Sequence, residues 1–96
     1  MSMTNLGPNA VESTNIVLAA GRRLFGGMIQ DVRESAGRSV EEAARLAAIE
    51  PSEWSAVESG HIAADPAWLR PMADALALPF DQMATMVHIC QFAWPE

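Results

Sequence analysis

The stretch SVEEAARLAAIEPSEWSAVESG, from Ser39 to Gly60, leaves this chain little freedom in how it folds. Ser39 with Glu42 three residues later is a capping box, which starts a helix by satisfying backbone N–H groups that have no partner inside it. Pro51 suits the first position of a further helix, where its missing N–H costs nothing and its fixed φ is already helical. Gly60 then stops that helix. Two short helices, over 40–47 and 51–59, are joined by three residues, Ala48, Ile49 and Glu50. Ala43, Ala44 and Ala47 give the first a small-residue inner face, and Trp54 with Val57, at i and i+3, gives the second a large one.

The segments on either side repeat the helical period. Phe25, Met28, Ile29, Val32 and Ala36 form one apolar stripe from Leu24 onward, and Gly37 ends it as a left-handed cap. Asp65 and Pro66 open a fourth helix as N-cap and first residue, with Met72, Ala73 and Leu76 inward. Pro71 interrupts that helix early, so either its first turn is irregular or regular helix begins near Leu69. A fifth helix follows Pro79, with Asp81 as its expected cap and Met83, Met86, Val87 and Cys90 at helical spacing. Residues 1 to 12 are polar, carry Gly7-Pro8, and read as a loose arm. STNIVLAAGRR reads as a short helix after Ser13 that Gly21 weakens. No segment alternates with period two, so the expected fold is all-α, a compact bundle of about five helices. The expected division is an arm at 1–22, a core domain at 23–80 and a C-terminal helix at 81–96.

Charge and composition narrow the function. The chain of 96 residues carries six basic and twelve acidic side chains, a net charge of −6. Every cation is an arginine. That balance argues against sequence-blind binding to nucleic acid or to an anionic membrane. The single cysteine, Cys90, excludes an internal disulfide and a Cys-rich zinc site, and fits a reduced, cytoplasmic protein. The apolar run near the start, IVLAA, is too short to span a membrane and has no basic region before it, so neither a membrane span nor a signal peptide is expected. His61 and His88 have no Cys or carboxylate at metal or triad spacing, which predicts no catalytic centre, no metal and no cofactor.

Two short helices across a three-residue turn, inside a helical bundle, match the helix-turn-helix unit. Over roughly residues 24 to 88 the chain resembles the phage-repressor-like (Cro/CI, XRE) helix-turn-helix family. FGGMIQDVRESAGRSVEEAA is similar to the family's opening, WSAVESG to the end of its recognition helix, and WLRPMADALALPFDQM to the segment that buttresses the first three helices. The resemblance implies a lambda-repressor-like DNA-binding domain. It also implies that Arg33 and Glu58 pair to tie the first helix to the third. The positions it turns to DNA are Pro51, Ser52, Ser55 and Ala56, and the expected DNA-binding set adds Val40 and the compensating Arg38, Arg45 and His61 around them.

The departures from the family bear on function. Ala48 stands where the family's turn usually has Gly. Trp54 replaces a usual Leu or Ile, and fills the volume that the small Ala43 leaves. Leu46 stands where a polar or basic residue is common. Positions 51, 52, 55 and 56 are Pro, Ser, Ser and Ala, none able to make the bidentate contacts that carry most direct readout. Over 40–60, Arg45 stands alone against Glu41, Glu42, Glu50, Glu53 and Glu58. Two functions remain open. One is a sequence-specific, DNA-binding transcriptional regulator. The other is a helix-turn-helix scaffold turned to a protein partner, of antitoxin-like or regulatory kind. A homodimer is expected through the C-terminal segment, with Met83, Met86, Val87, Cys90, Phe92 and Trp94 as its apolar surface.

Overall fold

The computed structural model describes the backbone of residues 2–90 and the side chains of residues 19–90. The described residues form five α-helices and no strand: α1 Ser2–Ser35, α2 Val40–Ala47, α3 Pro51–Glu58, α4 Leu69–Ala75 and α5 Phe80–Ile89. A 3-10 turn, Pro66–Trp68, leads into α4.

The helix ends share one device. After each of α1 to α4 a residue takes the left-handed conformation: Gly37, Ala48, Gly60 and Ala77. In each case the next residue's N–H reaches back five residues: Arg38 to the Arg33 carbonyl, Ile49 to Ala44, His61 to Ala56 and Leu78 to Ala73. This is the Schellman closure, which satisfies carbonyls that the helix leaves open. Glycine takes that conformation freely, whereas alanine resists it by about 1–2 kcal/mol. The Ala48 turn therefore keeps the conformation that the family's glycine would have, φ 57°, under strain.

The starts follow the sequence with one exception. The Ser39 Oγ accepts from the Glu42 N–H at 3.0 Å. The Asp65 Oδ1 accepts from the Ala67 N–H at 2.9 Å, but it caps the 3-10 turn, and regular helix begins at Leu69. Both alternatives raised by Pro71 are thus realised at once, because Pro71 falls in the first turn of α4, where no N–H is required. Asp81 is not the cap of α5. That helix starts at Phe80, with Pro79 at the cap position and no side-chain hydrogen bond.

The largest difference from the sequence reading is at the N-terminus. α1 is continuous from Ser2, through the stretch that reads as a loose arm and through Gly21, instead of starting near Leu24. Helix growth is cooperative once nucleated, and the strong apolar stripe from Phe25 supplies the nucleus. Gly and Pro oppose extension by roughly 1 and 3 kcal/mol, which local patterning weighs more heavily than an established helix does. Gly21 is buried in α1.

The core collects Phe25 and Ile29 from α1, Ala43, Ala44 and Ala47 from α2, and Trp54 and Val57 from α3. Met72, Ala73 and Leu76 close it from α4, and Met83, Met86 and Cys90 from α5. Trp54 is the largest fully buried side chain among the described residues, and Ala43 in the same core is equally sealed. Burial pushes the Cys90 thiol above its usual pKa, and its Sγ lies 3.8 Å from the Met28 Sδ.

Candidate nucleic-acid interface

α3 is held from behind by α1, and the hold has two parts. The first is close approach. A Cβ on Gly26 would land on the carbonyl oxygens of Val57 and Glu58, so the α1 backbone rests directly on the last turn of α3. The second is a fork of hydrogen bonds. Arg33 donates to Glu58 through Nε to Oε2 at 2.6 Å and through Nη2 to Oε1 at 2.9 Å. Its remaining Nη1 donates to the Arg38 carbonyl at 2.9 Å, bracing the loop before α2. Trp54 adds Nε1–H to Glu58 Oε2, also at 2.6 Å. The two charged side chains are 11% and 8% exposed. The bond to Glu58 raises the Arg33 pKa above its already high usual value, against the opposing effect of burial.

This network decides the sign of α3's outer surface. Glu58 is spent inward, so its charge does not face a ligand. With about 100° per residue, Ser52, Ser55, Ala56 and Ser59 fall opposite the buried pair Trp54 and Val57. The outward face is therefore small and uncharged, with serines at i, i+3 and i+7. Glu53 is exposed on its flank, and Glu50 is exposed at its start without capping it. Such a face lets a backbone or a groove wall come close, but each serine offers at most one or two hydrogen bonds.

The other expected site residues are placed unevenly. Arg45 is exposed at the middle of α2's outward face, and its guanidinium makes no hydrogen bond or ion pair among the described residues. Arg38 is half-buried and leans on Glu42, Nη1 to Oε2 3.4 Å, so its charge is partly committed. Val40 is half-buried and packs against the core, which leaves it a supporting role. Pro51, Ser52 and Ser55 are exposed, and Ala56 is half-buried. His61 is exposed, with its backbone tied to the Ala56 carbonyl and its Nδ1 2.6 Å from Ser59 Oγ.

Two expectations change. Met83, Met86 and Cys90 are buried in the domain's own core, so they present no surface to a second copy. Their spacing is that of an inward stripe, which sequence alone cannot tell from an interface stripe. Val87 is half-buried against the same core. Phe92 and Trp94 lie outside the described residues. Exposed apolar side chains stand elsewhere, at Leu24, Leu46, Ile62, Phe80 and Ile89. Arg70 covers one of these, its guanidinium 4.3 Å from the Phe80 ring centre.

Sequence reasoning missed Gly26 and Ser59. The signal for Ser59 was present, since it extends the Ser52–Ser55 line by one turn. Gly26 has no such signal, because its neighbour Gly27 is the same residue type with open space around it.

A capped short helix, a strained three-residue turn and a second short helix braced by an Arg–Glu fork define a helix-turn-helix domain. A family model described as a helix-turn-helix domain matches residues 24–86, and the chain belongs to that family. The family is of the phage-repressor-like (Cro/CI, XRE) class. No curated protein matches the chain. No helix among the described residues is long and apolar enough to cross a membrane.

Proposed function

We propose that this protein is a sequence-specific DNA-binding transcriptional regulator of the phage-repressor type. The reading rests on one observation above all. The positions of α3 that the family turns to the major groove carry only Pro51, Ser52, Ser55 and Ala56, with Ser59 just past the helix end, while Glu58 is withdrawn into the Arg33–Trp54 network. Direct base readout is then sparse, and discrimination comes from a few single hydrogen bonds, contact with thymine methyls and DNA shape. Arg45 supplies the free cation on α2. The regulator acts as a homodimer, with half-sites about one helical turn apart, near 34 Å. Ile89, 52% exposed at the end of α5, supports packing of the second copy on that side.

Selection of binding sites from a random duplex pool at low salt tests this directly. Enrichment of a two-fold symmetric sequence is the expected result. A second reading is favoured by Leu46, which is 53% exposed on α2. A large apolar side chain beside the acidic Glu42 suits a protein partner better than phosphate. If no sequence is enriched and a defined partner binds in a Leu46-dependent way, the scaffold reading replaces the regulator.

A further inference from the structure

We infer that α1 is also an association helix: its outward line, through Ala20 and Leu24, pairs with the same line on a second copy of this chain. This pairing supplies the surface of the homodimer proposed above, resting on that part of the reading and not on DNA. The length of α1 points there. At about 1.5 Å per residue, its 34 residues run roughly 51 Å. The molecule measures 55 Å along its long axis and only 25 and 21 Å across it. Ala20 is exposed, and burial among the described side chains of α1 runs from Gly21 to Arg33. The helix before Gly21 therefore projects from the bundle by roughly 25 Å. A helix of that length standing alone in water is marginal, and Gly7 and Pro8 weaken it further. A partner along its side is what holds it.

The described part of that side is apolar and open. Leu24 is 48% exposed, and Ala20, one turn earlier, is exposed. Gly27, on the same line, has open space where a side chain would stand. The sequence carries the line toward the N-terminus. Leu6, Ala10, Ser13, Val17, Ala20 and Leu24 are spaced by four and three residues in turn. That is the 3.5-residue repeat of two helices wound about each other. The surface of the bundle continues it. Leu24 lies one turn before Met28, whose Sδ is 3.8 Å from Cys90 Sγ. Ile89, the exposed neighbour of Cys90, thus stands beside the end of the line.

Charge selects the occupant. A chain of net charge −6 repels its own copy over most of its surface. Residues 1–21 hold one charged side chain, Glu12, so two of these helices meet without that cost. The same segment has no Lys or Arg, the residues with which a helix holds an anionic lipid surface or a phosphate backbone. A copy of itself fits this line; a membrane or a duplex does not.

Sedimentation of the full chain without DNA tests the pairing. A dimer at tens of micromolar is expected, with helical content that falls on dilution as the projecting helix loses its cover. Val17→Glu alters the line ahead of the first buried residue of α1, so the core residues stay in place. It should weaken the dimer roughly hundredfold, because a glutamate enters the seam from both copies. Leu24→Glu should do the same. Near-ultraviolet circular dichroism should keep its native tryptophan bands in both variants, showing an intact bundle. Leu46→Glu, on the outward face of α2, should leave the dimer as it is. If the double variant Val17→Glu, Leu24→Glu dimerises as tightly as the wild type, the α1 pairing is overturned and the homodimer stands on another surface. If the wild type is a monomer at tens of micromolar, the pairing and the homodimer fail together, while the DNA-binding reading is still decided by site selection.

Discussion

Glu58 accepts three hydrogen bonds on one carboxylate that is almost closed to solvent. Removing it strands a buried guanidinium and an indole N–H together, so Glu58→Ala should cost about 3 kcal/mol of unfolding free energy in urea titration. Arg33→Leu should cost a similar amount, and the double variant clearly less than the sum, because neither partner is then left charged and alone. Additive losses would show that the fork is geometry without coupling. At the left-handed positions the expectation reverses. Ala48→Gly and Ala77→Gly each relieve a backbone conformation that alanine resists by about 1–2 kcal/mol, against an entropic cost near 0.5–1 kcal/mol. Each should stabilise by roughly 0.5 kcal/mol, and the two should add because they close different helices. A fall in melting temperature for either would mean that its alanine is held by contacts worth more than the strain.

The same logic separates two neighbours on α1 that sequence cannot separate. Gly26→Ala pushes a methyl group into α3 backbone, which cannot swing aside, so the cost should lie near the top of the overpacking range, about 3 kcal/mol. Gly27→Ala meets nothing and gains helix propensity, so it should stabilise by up to about 1 kcal/mol. Thermal unfolding of both variants checks the pair, and equal effects would mean that α1 and α3 are not in backbone contact. This pair also shows where reading the sequence stops. The helices α2 and α3 were legible because caps, Pro51 and Gly60 act through local backbone chemistry. The inward use of Glu58 was legible only through family resemblance, since nothing in WSAVESG alone says which way a carboxylate turns. The apolar spacing of α5 was legible, but not its destination, because Met83, Met86 and Cys90 have the same period whether they meet their own core or a second copy. The start of α1 was misread because Gly7, Pro8 and Gly21 weaken a helix locally, whereas the cooperativity that carries a helix through them is not local.

On the scale of the whole molecule, charge sets how the protein finds DNA at all. A net charge of −6 opposes approach to any duplex, and the proposed contact surface offers few cations to neutralise phosphate. Binding without sequence preference should therefore be weak, and the dependence of affinity on salt shallow, since that slope counts phosphates neutralised. Glu53 is the sharpest probe of this balance. It is exposed on the flank of α3, beside the small outward face, and its carboxylate makes no hydrogen bond or ion pair among the described residues. Glu53→Lys exchanges a repelling charge for a neutralising one. In water each such contact is worth on the order of 1 kcal/mol, so affinity for an arbitrary duplex at low salt should rise roughly tenfold per subunit. The slope of log affinity against log salt should steepen by about one per subunit. Glu53→Gln should fall between, raising affinity without steepening the slope. The lysine also sits in the first turn of α3, where a cation opposes the helix dipole by about 0.3–1 kcal/mol. A small loss of stability should accompany the gain in binding, so the two are separated by measuring unfolding alongside. If Glu53→Lys leaves both affinity and slope unchanged, the flank of α3 does not face phosphate, and the docking geometry assumed for this domain is wrong.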